Sequence, residues 1–269
     1  MMSELRKVTL SDGELFVRDQ GQGETILFVH GFPLDHSMWD AQVNALSSSY
    51  RCLAVDLRGF GRSTVTSGTV TMEQMADDLA AMLDGLNITQ PVTLCGLSMG
   101  GYVAWQFWKR HSSRLAALIL CDTRAIADTE EGAKQRLETA DRVEAEGSGF
   151  LAEAMLPKLY AETTYHARPE MIEDARRVIL ATAPSGIAAA ARGMAQRPDV
   201  TSWLPEIDVP ALLITGEQDA ISPAAEMAAI AQAMPRGTHA IIPTAGHMAP
   251  QEQPDAVNAA LRAFLLNLK

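Results

Sequence analysis

The chain has 269 residues, of which 47% are hydrophobic and 20% are charged, and its formal net charge at pH 7 is −11. This length and apolar content predict one large α/β domain with a sizeable buried core. The acidic balance argues against a nucleic-acid partner, because no basic patch offsets it. Because the sequence has neither an apolar leader segment nor a run long enough to span a membrane, we expect a cytoplasmic protein without a membrane partner.

Two amphipathic segments near the N-terminus predict an antiparallel hairpin, and six apolar runs predict buried strands. In chain order they are Leu5–Leu10 and Glu14–Asp19 for the hairpin, then Thr25–Val29, Arg51–Val55, Val92–Cys95, Leu115–Cys121, Ala211–Thr215 and His239–Ile242. Helical patterns lie between the strands, and one of them begins at Thr71, where Gln74 completes a capping box. Strands that alternate with helices imply a mostly parallel sheet covered on both faces.

The alternation breaks between about Arg124 and Trp203, where the pattern is helical and no strand is predicted. We expect about four short helices here. Because the segment leaves after one strand and returns before the next, these helices should lie over the carboxyl ends of the strands. Residues 124–203, called the lid segment below, are therefore predicted to be inserted into a core formed by residues 1–123 and 204–269.

The pentapeptide Gly96-Leu97-Ser98-Met99-Gly100 fits the pattern G-x-S-x-G, a sharp turn that exposes a serine hydroxyl above a parallel sheet. An apolar strand precedes it and a helical pattern follows it, which is the order that such a turn requires. The serine of this turn has a strained backbone, so the residues two positions away must be small. We therefore predict Ser98 as a nucleophile, although five letters alone also fit an ordinary glycine-rich turn.

A serine hydroxyl is a weak nucleophile and needs a base, which in turn needs an acid to orient it. His247 is the predicted base, because it follows the last apolar strand in a loop that can reach the edge of the sheet near Ser98. His239 begins that strand and is predicted to be structural. His111 ends a helix and His166 lies in the lid segment, so capping and surface roles are expected for them.

Three carboxylates lie just after strands and are candidates for the acid. Asp219 has room to reach across to a histidine, whereas Glu217 lies close to its strand end and Asp122 follows the preceding strand. Asp219 is the predicted acid, with Asp122 and Glu217 as alternatives. The resulting order along the chain is serine, then acid, then histidine. Sites whose nucleophile lies on a G-x-S-x-G turn have the same order.

An oxyanion that develops during attack by Ser98 needs hydrogen-bond donors. The segment His30-Gly31-Phe32-Pro33 directly follows a predicted strand, and Gly31 lets its backbone pass close to the nucleophile. The predicted donors are the backbone N–H groups of Phe32 and Met99. Met99 begins the helix after the nucleophile, where the helix dipole favours negative charge.

Taken together, these motifs resemble the α/β-hydrolase superfamily over nearly the whole chain. The matching pieces are His30–Pro33, Asp56–Ser63, Gly96–Gly101, Gly216–Asp219 and Gly246-His247. Within the superfamily, the chain is similar to small serine esterases, 3-oxoadipate enol-lactonase-like enzymes and cofactor-free perhydrolases. The resemblance implies an eight-stranded sheet with only the second strand antiparallel, a lid after the sixth strand, and a structural role for Asp56–Ser63.

The predicted function is hydrolysis of carboxylic esters of small or medium acyl chain through an acyl-enzyme on Ser98. The expected partner is a small-molecule ester or lactone, and no metal or organic cofactor is expected. Lactone or enol-lactone hydrolysis, perhydrolysis and hydrolytic C–C cleavage would use the same three residues. A ligand-receptor module is a non-enzymatic alternative, because a fold does not determine a function.

Apolar residues of the lid segment and of the core are predicted to line the substrate pocket, although each would equally serve to pack lid against core. They are Leu34, Ile126, Met155, Leu156 and Met194. Arg124 follows the sixth strand and is predicted to form an ion pair at the hinge of the lid segment. Binding of a substrate carboxylate is the alternative for this arginine.

Overall fold

A computed structural model describes residues 4–268, in which eight strands form one sheet in the spatial order β1-β2-β4-β3-β5-β6-β7-β8. The strands are β1 (Glu4–Leu10), β2 (Gly13–Gln20), β3 (Thr25–Val29), β4 (Arg51–Asp56), β5 (Val92–Leu97), β6 (Leu115–Cys121), β7 (Ala211–Gly216) and β8 (Gly237–Ile242). Of these eight described strands, only β2 runs antiparallel to its neighbours. The predicted mostly parallel, eight-stranded sheet is therefore confirmed.

Helices connect the strands. They are α1 (Asp40–Leu46), α2 (Met72–Gly85), α3 (Met99–His111), α4 (Glu130–Glu146), α5 (Gly149–Leu159), α6 (Glu162–Ala167), α7 (Pro169–Ala181), α8 (Pro184–Ala195), α9 (Ala224–Ala233), α10 (Ala249–Glu252) and α11 (Pro254–Leu266). Helix α2 begins as predicted, because the Thr71 hydroxyl accepts a hydrogen bond of 3.1 Å from the Gln74 amide. This contact satisfies one of the backbone donors that a helix start leaves open.

Two hydrophobic cores cover the two faces of the sheet. One includes Leu79 of α2 and Phe107 of α3, and the other includes Val43 of α1 and Leu261 of α11. Strands β5 and β7 are buried along their whole length. The sheet is thus a rigid platform, and residues that follow the carboxyl ends of its parallel strands are held at one common edge.

Between β6 and β7 the chain forms five helices, α4 to α8, where about four were expected. The extra boundary lies at Arg168, whose φ and ψ of −128° and 62° separate α6 from α7. The next residue is Pro169, and a proline pushes the residue before it out of the helical region. The sequence interpretation did not use this proline as a boundary. The division into core and lid segment remains a prediction.

Helix α8 contacts the loop after β4 through two glycines. A Cβ atom on Gly186 would lie 2.1 Å from the carbonyl oxygen of Gly59, and Gly59 itself has a φ of +92°. Neither position can therefore carry a side chain without moving the backbone.

Among the described residues no single helix is long and apolar enough to cross a membrane. Only α7 and α8 taken together, bent by 94°, pass that test of length and composition.

Buried polar contacts hold the segment Asp56–Ser63, in agreement with the structural role that the resemblance implies. The Asp56 carboxylate accepts hydrogen bonds from the His36 ring (2.6 Å) and from the Arg62 amide (3.0 Å). Arg58 binds both carboxylate oxygens of Asp78 at 2.7 Å. Pairing of this kind compensates charges that would otherwise be costly to bury.

Candidate active site

Ser98 lies on a strained turn between β5 and α3. Its φ and ψ are 53° and −110°, and left-handed φ values are uncommon for residues other than glycine. A Cβ atom on Gly96 would lie 2.4 Å from the carbonyl oxygen of Gly100, and one on Gly100 would lie 2.3 Å from that of Val29. The two flanking glycines are therefore required by the geometry of the turn.

The turn is tied to the end of β6. The Ser98 amide donates to the carbonyl of Cys121 at 2.9 Å, and the Thr123 hydroxyl donates to the Ser98 carbonyl at 2.8 Å. Ser98 is also the residue immediately before α3, whose first residue is Met99. Anionic groups next to Ser98 thus lie at the positive end of a helix dipole.

The loop after β3 lies against this turn. A Cβ atom on Gly31 would come within 3.5 Å of the Ser98 Cβ atom and 2.7 Å of a Leu97 methyl group, so a larger residue here would have to displace the Leu97 side chain. The next residue along the chain is Phe32. The structure thus places the backbone of both predicted oxyanion donors, Phe32 and Met99, on segments that contact or adjoin Ser98.

His30 holds this loop in place. Its Nε2 accepts a hydrogen bond of 3.1 Å from the Leu57 amide, so Nδ1 carries the proton and donates to the Gly31 carbonyl at 2.9 Å. Burial lowers the pKa of His30, which keeps the ring neutral. His30 therefore supports the loop beside Ser98 rather than transferring protons.

Asp219 and His247 form a buried pair, with Asp219 Oδ2 lying 2.9 Å from His247 Nδ1. Burial opposes ionisation of Asp219, but hydrogen bonds from His247 and from the Ile221 and Ser222 amides outweigh it and lower the pKa of Asp219. An ionised carboxylate only accepts hydrogen bonds, so His247 Nδ1 carries the proton. The lone pair of Nε2 is then available to accept a proton.

Close backbone packing fixes the loops that carry this pair. A Cβ atom on Gly216 would lie 2.0 Å from the carbonyl oxygen of Gly246. The Gln218 amide donates to the Ala245 carbonyl at 2.8 Å. The loop with the acid and the loop with the histidine are therefore joined directly, beside the end of β7.

The two alternative acids have other surroundings. Glu217 is exposed and accepts a hydrogen bond of 3.0 Å from the Thr244 amide. Asp122 is fully buried, and one of its oxygens accepts a 2.8 Å hydrogen bond from the Gly216 amide. Burial first, and then the charge of Asp219, raise the pKa of Asp122 well above its ordinary value. Asp219 is thus the carboxylate that contacts His247.

The remaining histidines make contacts elsewhere in the fold. Besides His36 on Asp56, the His111 ring binds Asp77 at 2.7 Å and the His239 ring lies 3.0 Å from the Thr215 hydroxyl. His166 packs edge-on against Tyr165. Within residues 4–268, the sets of side chains close enough to share a metal ion are Asp35 with His36 and Asp56, and Asp122 with Asp219 and His247. The hydrogen bonds described above already account for the His36–Asp56 and Asp219–His247 contacts.

Glu252 is a site residue that the sequence interpretation missed. It is fully buried on α10, and its two carboxylate oxygens accept hydrogen bonds from the Gly246 amide (2.8 Å) and the Ala161 amide (2.9 Å). Gly246 precedes His247, and Ala161 lies just before α6 in the lid segment. One carboxylate therefore anchors the histidine loop to the lid segment.

Replacing Glu252 by glutamine is expected to lower kcat/KM by roughly 10- to 100-fold, because displacement of His247 by even about 1 Å disturbs proton transfer. An amide has one acceptor oxygen for two buried N–H groups, so the variant should also lose about 1–3 kcal/mol of stability. Steady-state kinetics and urea unfolding measure the two effects. Asp255→Asn on the exposed surface of α11 is the matched control, and equal behaviour of both variants would contradict the anchoring role.

The five predicted pocket residues lie in different environments. Met155 lines a cavity of about 340 Å³ that also includes Phe32, with Leu151 of α5, Arg136 of α4 and Ala191 of α8 among its other walls. Leu34 lines a separate cavity against α7. The side chains of Leu156 and Met194 are packed into the two cores, and Ile126 is 37% exposed. Of the predicted set, only Met155 thus lines the cavity beside Phe32.

Arg124 forms an ion pair of 2.9 Å with Glu226 of α9. The Arg124 carbonyl accepts a hydrogen bond of 3.1 Å from the Trp105 indole, which fixes the backbone at the same point. The predicted ion pair is therefore present, and the guanidinium is engaged by a carboxylate of the protein itself.

Comparison with known proteins identifies the family of the fold. The family model described as the alpha/beta hydrolase fold matches residues 24–254. A thermophilic esterase from Thermogutta terrifontis, solved with malate bound, superposes with a TM-score of 0.95 at 47% identity, covering 100% of this chain and 99% of that one. The enol-lactonase from Burkholderia xenovorans LB400 superposes with a TM-score of 0.91 at 30% identity, covering 97% and 100%.

Among curated proteins, 3-oxoadipate enol-lactonase 1 of Acinetobacter baylyi is 28% identical over 273 residues, with all of both chains covered. The family model spans most of the chain, from residue 24 to residue 254. The chain therefore belongs to the α/β-hydrolase family.

Proposed function

We propose that this protein is a serine hydrolase of carboxylic esters, with Ser98 as nucleophile, His247 as base and Asp219 as the acid that orients it. The observation that carries the proposal is the buried 2.9 Å contact between Asp219 and His247, on loops that follow β7 and β8. The strained turn that presents Ser98 follows β5 of the same sheet. Nucleophile, acid and base therefore share the carboxyl edge of one rigid sheet.

The reaction begins with attack of the Ser98 hydroxyl on the ester carbonyl, while His247 Nε2 accepts the hydroxyl proton. Asp219 keeps the proton of the ring on Nδ1 and stabilises the imidazolium that forms. The backbone N–H groups of Phe32 and Met99 donate to the developing oxyanion. His247 then protonates the leaving alcohol, and a water molecule activated by the same ring releases the acid from Ser98.

The cavity beside Phe32 is the proposed site of the acyl group. Its volume of about 340 Å³ is at the lower end of the range for ligand pockets. Leu151, Met155 and Ala191 form an apolar side of this cavity, and Phe32 belongs both to that side and to the proposed oxyanion site. Polar residues, among them Asp128, Gln135 and Lys158, line the other side. These dimensions favour acyl groups of short to medium length.

Lactone hydrolysis is the second candidate, because enol-lactonases from Acinetobacter baylyi and Burkholderia xenovorans resemble the whole chain. A lactone with a carboxylate substituent needs a cation in the site. Arg124, the arginine predicted as the alternative carboxylate ligand, is paired with Glu226. Together with the 47% identity to an esterase, this pairing favours simple esters.

The test is a panel of p-nitrophenyl esters of increasing acyl length, assayed beside lactones and peracid formation. Highest kcat/KM on short or medium acyl esters, with weak lactone turnover, supports the proposal. Preference for lactones would replace it with the second candidate, and peracid formation as the main activity would indicate a perhydrolase. A single burst without turnover, together with ligand-dependent partner binding, would indicate a receptor.

Replacing Met155 by tryptophan is expected to shift the acyl preference toward shorter chains. The larger side chain fills the cavity beside Phe32, so kcat/KM should fall about tenfold or more for medium acyl esters and remain nearly unchanged for acetate. Leu137→Trp on α4, at a position that is 42% exposed, is the matched control. An equal loss on all chain lengths would place the acyl group elsewhere.

A further inference from the structure

Asp122 is a buried carboxyl group that the proposed reaction does not use. It follows β6 with a φ of +48° and is fully buried. Its Oδ1 accepts a hydrogen bond from the Gly216 amide, whereas its Oδ2 has no hydrogen-bond partner within residues 4–268. An ionised carboxylate with a buried, unpartnered oxygen carries a large desolvation cost.

The neighbours of the Asp122 carboxyl group decide where a proton would lie. Carboxylate oxygens of Asp122 and Asp219 and a ring nitrogen of His247 all lie within 4.8 Å of one another. Two carboxylates at this separation cannot both be ionised without strong repulsion. Asp219 accepts donors from the His247 ring and the Ile221 amide, and this leaves Asp122 as the group that takes a proton.

We propose that Asp122 is a neutral carboxylic acid in the folded protein and that its Oδ2–H group is directed at Asp219. Asp122 is thus a positioning residue, and the proposal rests on the proposed roles of Asp219 and His247. Its hydroxyl fixes the orientation of the Asp219 carboxylate and spreads the negative charge that Asp219 presents to His247. The raised pKa of Asp122 agrees with this assignment.

Other titratable groups around the site do not take this role. Contact with Cys95, and then burial, raise the pKa of the Cys121 thiol, which stays neutral. Glu252 accepts the Gly246 and Ala161 amides. On the remaining sides, Glu217 accepts the Thr244 amide and Arg168 donates to the Glu252 carbonyl at 2.8 Å.

The backbone around Asp122 limits which variants can be used. Cys121 and Thr123, on either side of it, both bind Ser98 through the hydrogen bonds described above. Asparagine tolerates the left-handed conformation of Asp122 as aspartate does, and its amide can donate in place of the hydroxyl. Asp122→Asn is therefore the conservative variant, and Asp122→Ala removes the donor.

The first test is the pH dependence of ester hydrolysis. Asp122→Asn should retain kcat/KM within about threefold and keep the acidic limb of the profile, because charge and donor are both preserved. Asp122→Ala should move that limb to higher pH, because a less stabilised Asp219 holds the proton on His247 more strongly. A shift of the limb to lower pH in Asp122→Asn would show that Asp122 is ionised and would overturn the proposal.

The second test detects the proton on Asp122 from the pH dependence of folding stability, without any assay of activity. Aspartate in the unfolded chain has a pKa of about 3.9, whereas folded Asp122 retains its proton. The contribution of Asp122 to the free energy of unfolding therefore falls as pH rises above that value. The ratio of folding constants, Asp122→Asn over wild type, should rise by up to about tenfold per pH unit until pH reaches the pKa of folded Asp122. A ratio that is constant with pH would overturn the proposal, whatever its absolute value.

The two proposals fail in different ways. If Ser98→Ala retained activity, the proposed function would fail, while the pH dependence of the stability ratio would still report the proton on Asp122. If Ser98→Ala were inactive and that ratio were flat, the proposed function would stand and the neutral Asp122 would be excluded.

Discussion

Replacing Ser98 by alanine is expected to reduce kcat for ester hydrolysis by roughly 10⁴–10⁶ and to abolish the burst of acyl-enzyme. The reason is that the hydroxyl is the only group of this turn that forms a bond to the substrate in the proposed reaction. The backbone donors and the cavity remain, so binding of substrate should change little. Stopped-flow release of p-nitrophenol and mass measurement of the trapped acyl-enzyme check both parts.

The fold of this variant should be unaffected, because the hydrogen bonds of Ser98 described above use its backbone atoms. Ser113→Ala, at an exposed serine after α3, is the matched control and should behave as wild type. Activity of Ser98→Ala within tenfold of wild type would remove Ser98 from the mechanism and leave hydrolysis by a different nucleophile to be identified.

Replacing Asp219 by asparagine is expected to lower kcat by about 10⁴. In the wild type, the Asp219 carboxylate holds the proton of His247 on Nδ1. In the variant, an asparagine amide that donates to Nδ1 would place the proton on Nε2. A ring protonated at Nε2 cannot accept a proton from Ser98. Measurement of kcat from pH 5 to 9 should show the loss throughout, because the missing tautomer is not restored by changing pH.

Glu217→Gln is the matched control for this variant, because Glu217 lies two residues away, is exposed and accepts a hydrogen bond from the Thr244 amide of a neighbouring loop. It should retain full activity. If Asp219→Asn instead kept more than a tenth of wild-type kcat, another carboxylate would be orienting His247. Asp122, with an oxygen within 4.8 Å of the pair, would be the group to replace next.

The sheet could be predicted from sequence because its signals are local. Apolar runs such as Leu115–Cys121 and Ala211–Thr215 coincide with β6 and β7 to within one residue. The side chains proposed for the reaction could be chosen because each follows a strand, and parallel strands end at a common edge. Ser98 carried the additional signal of two glycines at fixed spacing.

Features that depend on packing between distant segments could not be predicted in this way. In the sequence, Glu252 looks like any other helical glutamate. Its role depends on the hydrogen bonds from the Gly246 and Ala161 amides, which form only in the folded chain. The cavity beside Phe32 arises where α4, α5 and α8 pack together, so its lining could not be read from apolar residues alone. The neutral state proposed for Asp122 likewise depends on its proximity to Asp219, which lies 97 positions further along the chain.

The hydrogen bonds of Glu252 couple motion of the lid segment to the chemistry. The Glu252 carboxylate holds Gly246 with one oxygen and Ala161 with the other. A movement that takes Ala161 away therefore frees this carboxylate to move, and Gly246 and the ring of His247 lose a fixed support. The sheet beneath does not depend on this link. On warming, proton transfer by His247 should therefore fail before the sheet unfolds. Activity should be lost at a lower temperature than secondary structure.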